Sequence, residues 1–326
     1  LHAGALKLWR AHWPLKMSEQ LNFPGFDVYP RSLEEDIGTT TASLSGNAAM
    51  SDAIRHPSIY PVDAEGWPWP LKVYTLGRFS LVRNGVPVSF GRKSPKRALD
   101  MLKAIIALGG RDISLEHLGA VLWPDSEGDA AQRLTDSNLY RLRKLLDDDK
   151  VVEVAIGRVS LRANRIWVDV WAFERTLRII EKRMLPGATA SDPAMFQWLS
   201  LKVLRLYQKH FLDADQDAIW SVSMRERLRR KFIHLLIELG VYWEKESNWP
   251  MAILCYQKGL DVDDLVETFY QRLMICHQKA GRPGEGITVY RRCSHLLSVV
   301  LGIQPAPETQ KIYQSLLHCR SAQKAV

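Results

Sequence analysis

With 326 residues, 46% of them hydrophobic and 25% charged, the chain holds enough apolar material for two or three cores, which excludes disorder throughout. Its 44 Lys+Arg against 36 Asp+Glu give a net charge of +8, a mild excess that permits a polyanionic partner without requiring one. No apolar run approaches the ~18 residues of a membrane helix, "HLLSVVLGI" at 295–303 being half that, so no membrane partner is expected.

Residues 1–70 open on the helix-like "LHAGALKLWRAH" and then break up through Pro14, Pro24, Pro30 and "GTTTASLSGNAAMSD". A short helix and a flexible linker are expected there, because so few apolar groups cannot offset chain entropy. The start at Leu1 rather than Met suggests a piece of a longer chain or a trimmed start, with 1–70 the tail of an upstream domain. "EGWPWP" at 65–70 is expected to dock on the domain that begins at Leu71.

From Leu71 to Phe173 the pattern changes. "LKVYTLGRFSLVRNG" and "VPVSF" are β-like runs joined at Asn84-Gly85, a hairpin turn signal. "SPKRALDMLKAIIALGG" predicts a first helix with Ser94 as N-cap, Pro95 in its first turn and Gly109-Gly110 as its stop. "SLEHLGAVLW" predicts a second, ending at Trp123-Pro124, and "QRLTDSNLYRLRKLL" at 132–146 is the third. "VVEVAIGRVSLRANRIWVDV" predicts a closing hairpin around Gly157-Arg158. Strands, three helices and a hairpin read as an α+β winged helix-turn-helix domain over 71–173.

Beyond it, 174–326 is helical apart from a break at "LPGATASDP". "AILCYQK" at 252–258 aligns with "GITVYRR" at 286–292, setting Ala252 on Gly286 and Tyr256 on Tyr290; Leu239 and Leu273, and Leu235 and Phe269, share the 34-residue offset. That is the period of tetratricopeptide helix pairs, so an all-α tetratricopeptide-like helical repeat domain is expected. Cys255, Cys276, Cys293 and Cys319 lack CxxC spacing, which fits reduced thiols and a cytoplasmic location.

The third helix admits two readings. At about 100° per residue, Leu134, Leu139, Leu142, Leu145 and Leu146 gather on one arc and Arg133, Ser137, Tyr140, Arg141 and Lys144 on the other. Alone, that is an ordinary solvated surface helix. As the third helix of a winged helix it sets the polar arc in a major groove, where arginines reach guanine edges. Charge placement favours the second reading, since Leu71 to Arg165 holds 17 Lys+Arg against 11 Asp+Glu, six of the net +8. Arg92, Lys93, Lys96 and Arg97 cluster where the first helix starts, suited to phosphates. Arg158, Arg162 and Arg165 on the hairpin suit an adjacent minor groove or backbone.

"LGRF", "LWPD", "DAAQRL" and "LYRLRKLL" resemble the OmpR/PhoB-type winged helix at the front of SARP-family bacterial transcriptional activators. "LYQKHFLDADQDAIW", "RERLRR" and "GIQPAPETQKIYQSL" are similar to the bacterial transcriptional activator domain that comes after it in that family. The two matches cover roughly 70–173 and 195–318. The resemblance implies Arg133, Ser137, Tyr140 and Arg141 as groove-facing positions, Arg143 and Lys144 as backbone contacts, and Trp123 as a structural anchor. It further implies double-stranded promoter DNA and RNA polymerase as partners, a homodimer at least on DNA, and a helical repeat domain for dimerisation or signal input. "QKH" at 208–210 and Val262 depart from the family's glycine turn and repeat proline.

Catalytic readings do less well. "GRPGEG" at 281–286 lacks the Lys-Ser/Thr of a phosphate loop, and Cys276-His277 and Cys293-Ser-His295 fall short of four converging metal ligands. Asp147-Asp148-Asp149 reads as a solvated turn. No catalytic residue, metal or cofactor is therefore expected. The expected function is a promoter-binding transcriptional activator. The rivals are a protein–protein adaptor whose winged helix no longer binds DNA, and the output end of a larger ATPase-type regulator.

Overall fold

Strand β1 (Leu71–Tyr74) carries Leu71 and Val73 into the core while Lys72 and Tyr74 point to the other face, the period-two burial of a half-covered strand. It pairs antiparallel with β2 (Ser80–Arg83), which pairs with β3 (Val86–Pro87). Asn84 and Gly85 turn between these two with φ of 47° and 81°, as the Asn-Gly signal predicts. The computed structural model describes residues 65–66, 68–90, 95–126, 128–185 and 193–324. The expected short helix and most of the linker, and Arg92, Lys93 and Ser94, lie outside the described residues. Trp69 is buried, in keeping with the docking expected of its segment.

Helix α1 (Lys96–Ala107) begins one residue later than expected, with Pro95 in the N-cap position and its carbonyl accepting from the Ala98 and Leu99 amides. It stops at Gly109 and Gly110, both at positive φ. Gly110 is required sterically as well, because a Cβ there would stand 2.3 Å from the Trp171 ring. A short strand that the periodicity does not predict comes next, β4 (Ile113–Ser114), and Ser114 caps α2 (Leu115–Leu122) by accepting from the His117 amide. Helix α3 (Gly128–Leu146) leads to the hairpin of β5 (Val152–Ala155) and β6 (Arg158–Leu161). β4 adds to the hairpin to give the order β4-β6-β5.

The chain then returns to the first sheet. β7 (Ile166–Val168) lies parallel to β1 and completes the order β3-β2-β1-β7. It runs straight into α4 (Asp169–Met184), so position 173, where the sequence pattern ends the first domain, lies inside a helix. The remaining helices are α5 (Pro193–Leu206), α6 (Ile219–Lys245), α7 (Trp249–Val262), α8 (Glu267–Lys279), α9 (Pro283–Leu301) and α10 (Pro307–Lys324). From α6 onward each packs on its neighbour in sequence. Glycines mark the closest approaches: a Cβ on Gly240 would fall 2.2 Å from the Tyr256 ring, and one on Gly259 2.4 Å from Phe269. The positions paired by the 34-residue offset are interior ones, with Leu235, Leu239, Ala252, Tyr256, Phe269, Leu273 and Gly286 all buried. Tyr290 is half-buried and stacks on Tyr313.

The strand-rich and helical halves form one compact unit, Pro68–Val326. Asp169 at the start of α4 accepts four hydrogen bonds: the Thr75 and Leu76 amides on one oxygen, the Thr75 hydroxyl and Val170 amide on the other. The segment after β1 docks on the segment after α5 through Gly77 to His210, Leu212 to Thr75 and Asp213 to Gly77 backbone bonds. Arg225 holds that segment from α6, donating to the Phe211, Leu212 and Asp215 carbonyls.

Candidate nucleic-acid interface

Helix α3 has the two arcs that its periodicity predicts. Leu139, Leu142 and Leu146 are buried, with Leu134 and Leu145 partly so. Two polar residues join the buried side: Thr135 donates back to the Ala131 carbonyl and Asn138 to the Leu134 carbonyl. Thr135 also lies against α2, its hydroxyl standing 2.9 Å from where a Cβ on Gly119 would lie. The helix is held at its C-terminal end from the sheet, where Arg83 donates to the Leu145 carbonyl and pairs with Asp147 at 3.3 Å. A cation there complements the helix dipole.

The opposite arc is open. Arg133, Ser137, Tyr140, Arg141 and Lys144 are all exposed, Tyr140 at 60%. Arg133 Nε donates to the Asp129 carbonyl at 3.1 Å, leaving the rest of its fork outward. Lys144 Nζ stands 5.0 Å above the Tyr140 ring, and the Tyr140 hydroxyl as hydrogen-bond partner raises the ammonium above its ordinary pKa. Arg141 makes no hydrogen bond or ion pair within the described residues. Arg143 is different. It is half-buried, and its Nε and Nη2 donate to the Val152 carbonyl at 3.3 and 3.1 Å, tying α3 to the hairpin.

The other cations divide in the same way. Lys96 and Arg97 are exposed in the first turn of α1. The three hairpin arginines each meet a carboxylate. Arg158 donates to the Asp112 carbonyl at 2.6 Å and to its carboxylate at 3.1 Å. Arg162 bridges both Glu153 oxygens at 3.1 and 3.0 Å, which holds the Glu153 carboxyl below its usual range. Arg165 pairs with Asp148 at 2.8 Å. The aspartate turn is thus partly an anchor: Asp147 serves Arg83 and Asp148 serves Arg165 and the Lys150 amide. Trp123 ends α2, its amide donating to the Gly119 carbonyl, and is half-buried.

The hairpin turns one residue earlier than the Gly157-Arg158 that sequence patterning points to. Ile156 and Gly157 turn between β5 and β6, both at positive φ, 49° and 67°. Ile156 is fully exposed at 100%, and Val154 two residues earlier is also exposed. The tip is anchored from behind by the Leu115 amide, which donates to the Gly157 carbonyl at 2.9 Å.

Away from this face, Cys255, Cys276 and Cys293 are buried and free, and burial pushes each thiol up to about 12. Among the described residues no set of three or more His, Cys, Asp and Glu side chains converges in a metal-binding arrangement. No described helix is long and apolar enough to cross a membrane.

Residues 168–317 match the family model described as the bacterial transcriptional activator domain. Among curated proteins, the chain is 26% identical over 269 residues to a regulatory protein AfsR of Streptomyces griseus, covering 81% of this chain and 26% of that protein. It is 24% identical over 259 residues to a regulatory protein AfsR of Streptomyces coelicolor, covering 77% of this chain and 25% of that protein. The chain therefore spans about a quarter of the length of these relatives. A solved structure, Mycobacterium tuberculosis EmbR in complex with a low-affinity phosphopeptide, superposes with a TM-score of 0.56 at 18% identity, over 78% of this chain and 69% of that one. That likeness is one of fold.

Proposed function

We propose that this chain, whose residues 168–317 match the bacterial transcriptional activator domain, is a transcriptional regulator of the SARP kind and a sequence-specific DNA-binding activator. In this reading β1–β3, α1–α3 and the β5–β6 hairpin are a winged helix. α3 enters the major groove with Arg133, Ser137, Tyr140 and Arg141 toward base edges and Lys144 toward the backbone. Lys96 and Arg97, with the neighbouring Arg92 and Lys93, meet phosphates. The protein recruits RNA polymerase, and its helical half is a tetratricopeptide-like repeat domain for dimerisation or signal input.

One observation carries the reading. The polar arc of α3 is exposed, and its central cation, Arg141, is engaged by no group of the described chain. A helix serving only as a surface element gains a few tenths of a kcal/mol from pairing such a residue with a carboxylate three or four positions away. Those positions hold Ser137, Asn138, Lys144 and Leu145, so no carboxylate is set to occupy the guanidinium.

The test begins by enriching duplexes from a randomised pool on the full chain and measuring their affinity across a salt series. The expected result is steep weakening with salt as counterions compete, and a loss of roughly tenfold or more in Arg141→Ala, the value of about one good base contact. The ion pairing of Arg158, Arg162 and Arg165 favours a second reading, a protein–protein adaptor. Weak, salt-insensitive binding that Arg141→Ala leaves unchanged would establish the adaptor and remove the activator.

A further inference from the structure

One end of the first sheet holds the end of α3. Arg83 closes β2 and Arg165 stands just before β7; because Leu71 pairs with Arg83 on one side and Ile166 on the other, the two arginines lie nearly level across β1. Together they grip the turn that follows α3. Arg83 donates through Nη2 to the Leu145 carbonyl, one of the last carbonyls that the helix itself leaves unbonded, and through Nη1 to the Asp147 carboxylate at 3.3 Å. Arg165 donates to the Asp148 carboxylate at 2.8 Å.

Arg83 Nε is buried, so the root of this side chain is fixed where its tip reaches the helix. Asp147 stands in the left-handed region at φ 56°, a conformation in which an aspartate is held at some cost, and from there its carboxylate meets Arg83. The opposite end of the same sheet is where the helical half attaches. Just beyond the four residues of β1, Thr75 and Leu76 bind the Asp169 carboxylate, and the Thr75 carbonyl accepts from the Leu212 amide. α3 and the helical half are thus fastened to the two ends of one short strand.

We propose that Arg83 and Arg165 are positioning residues for DNA reading: without touching DNA, they fix the angle at which α3 presents Ser137, Tyr140 and Arg141 to base edges. This rests on the DNA-binding reading above. Arg141 lies four residues before the gripped Leu145 carbonyl, so a tilt at that end moves its guanidinium. A bidentate base contact needs its groups held within about 0.5 Å. A phosphate contact is mainly charge attraction and survives such a shift. Loosening the grip therefore costs discrimination between sequences more than it costs attraction to any duplex.

The experiment uses the full chain, a fluorescent duplex enriched by the wild type from a randomised pool, and an unrelated duplex of equal length. The quantity read is the ratio of the two affinities, which does not move when a variant merely leaves less of the protein folded. Asp147→Asn and Asp148→Asn each take one carboxylate from the grip and leave every cation in place. As mere solvated charges near DNA, their loss would tighten binding to both duplexes alike. In the positioning role the ratio should instead fall, by on the order of tenfold in the double variant, the value of about one good base contact. Arg83→Met should lower the ratio with an unchanged salt slope, because no phosphate contact is lost. Arg83→Lys should leave it lowered, since an ammonium keeps the charge without the fork that spans two acceptors. A wild-type ratio in the double aspartate variant overturns the proposal, and so does a shallower salt slope in Arg83→Met, which would make Arg83 a phosphate contact. Should Arg83→Met not fold, the aspartate variants decide by themselves. A wild type that enriches no duplex brings down the DNA-binding reading itself, a result distinguishable from all of these.

Discussion

Lys103 of α1 and Asp215 of the segment before α6 lie 112 positions apart in the chain, and the Lys103 ammonium donates to both Asp215 carboxylate oxygens at 2.9 Å. Lys103 is only 7% exposed; Asp100 at 3.8 Å and the Phe79 ring at 4.8 Å complete its surroundings. The pair joins the strand-rich half to the helical half, with the ammonium buried and its carboxylate partner partly exposed.

The two ends of that pair are not equivalent to mutation. Removing the carboxylate in Asp215→Ala leaves the buried ammonium with only the more distant Asp100 carboxylate, and should lower the unfolding free energy by about 2 kcal/mol. Lys103→Met removes both the charge and its desolvation cost, and should lower it by about 1 kcal/mol or less. Urea unfolding measures both; equal losses would show that the cation is not buried as described.

Asp169 gives a pH signature. Burial pushes its carboxyl up to about 6, against the pull of the Leu76 and Thr75 amides, the Thr75 hydroxyl and the Val170 amide. The folded pKa is raised above the unfolded one, so the fold binds this proton more tightly. The stability from this linkage is complete below the unfolded value of 3.8 and is lost as pH rises through about 6. Asp169→Asn must turn an amide NH2 toward donors and should lose about 2 kcal/mol at neutral pH. Unfolding measured at a series of pH values should show the gap between the two proteins widening toward acid; a gap that narrows refutes the assignment.

Arg141 and Arg143 are two residues apart on α3 and should separate cleanly. Arg143→Ala leaves the Val152 carbonyl without its two donors and should lower stability by about 1–2 kcal/mol. Arg141→Ala should change it by less than about 0.5 kcal/mol, as at other exposed positions. Thermal unfolding of the two variants side by side provides the comparison, independent of any DNA measurement.

Gly240 and Gly284 make a second matched pair. Both are helical, but a Cβ on Gly240 would meet the Tyr256 ring at 2.2 Å, whereas one on Gly284 would have nothing within 4 Å. Gly240→Ala should lower stability by about 2 kcal/mol through overpacking, while Gly284→Ala should raise it by about 0.5 kcal/mol through the loss of unfolded-state freedom. Urea midpoints that move in the same direction for both would contradict the close approach of α6 and α7.

The cysteines should divide three to one. Cys255, Cys276 and Cys293 are buried with raised thiol pKa values, and Cys319 is exposed. One thiol should therefore react rapidly with a disulfide reagent in the folded protein and four after denaturation. Rapid release of a second equivalent would contradict the packing of α7–α9.

What the sequence made legible was local. The polar arc of α3 comes from helical periodicity, the β2–β3 turn from Asn84-Gly85, the end of α1 from Gly109-Gly110, and the start of α2 from Ser114. What stayed hidden needed partners far along the chain. β4 is two residues long and exists as a strand because Ile113 and Ser114 meet Val159 and Arg158. Arg158 looked like a free cation, and 46 positions separate it from the Asp112 that engages it. Arg143 belongs to the exposed or the inner side of α3 according to where β5 passes, which no helical wheel can say. Ile156 carried a signal that went unused, an Ile in the place where hairpins favour Asn or Gly.

The passage from β7 into α4 without a break bears on how such a chain can be inherited. The strand that completes the first sheet and the helix that opens the activator domain are one continuous stretch, and Asp169 at their junction fastens both to Thr75 and Leu76. A crossover between relatives at this point would splice a foreign strand against β1 and misplace the carboxylate its backbone donors require. The two halves are therefore expected to travel together through recombination, and shuffled regulators should carry their seams outside 68–317 rather than at the border between strand-rich and helical parts.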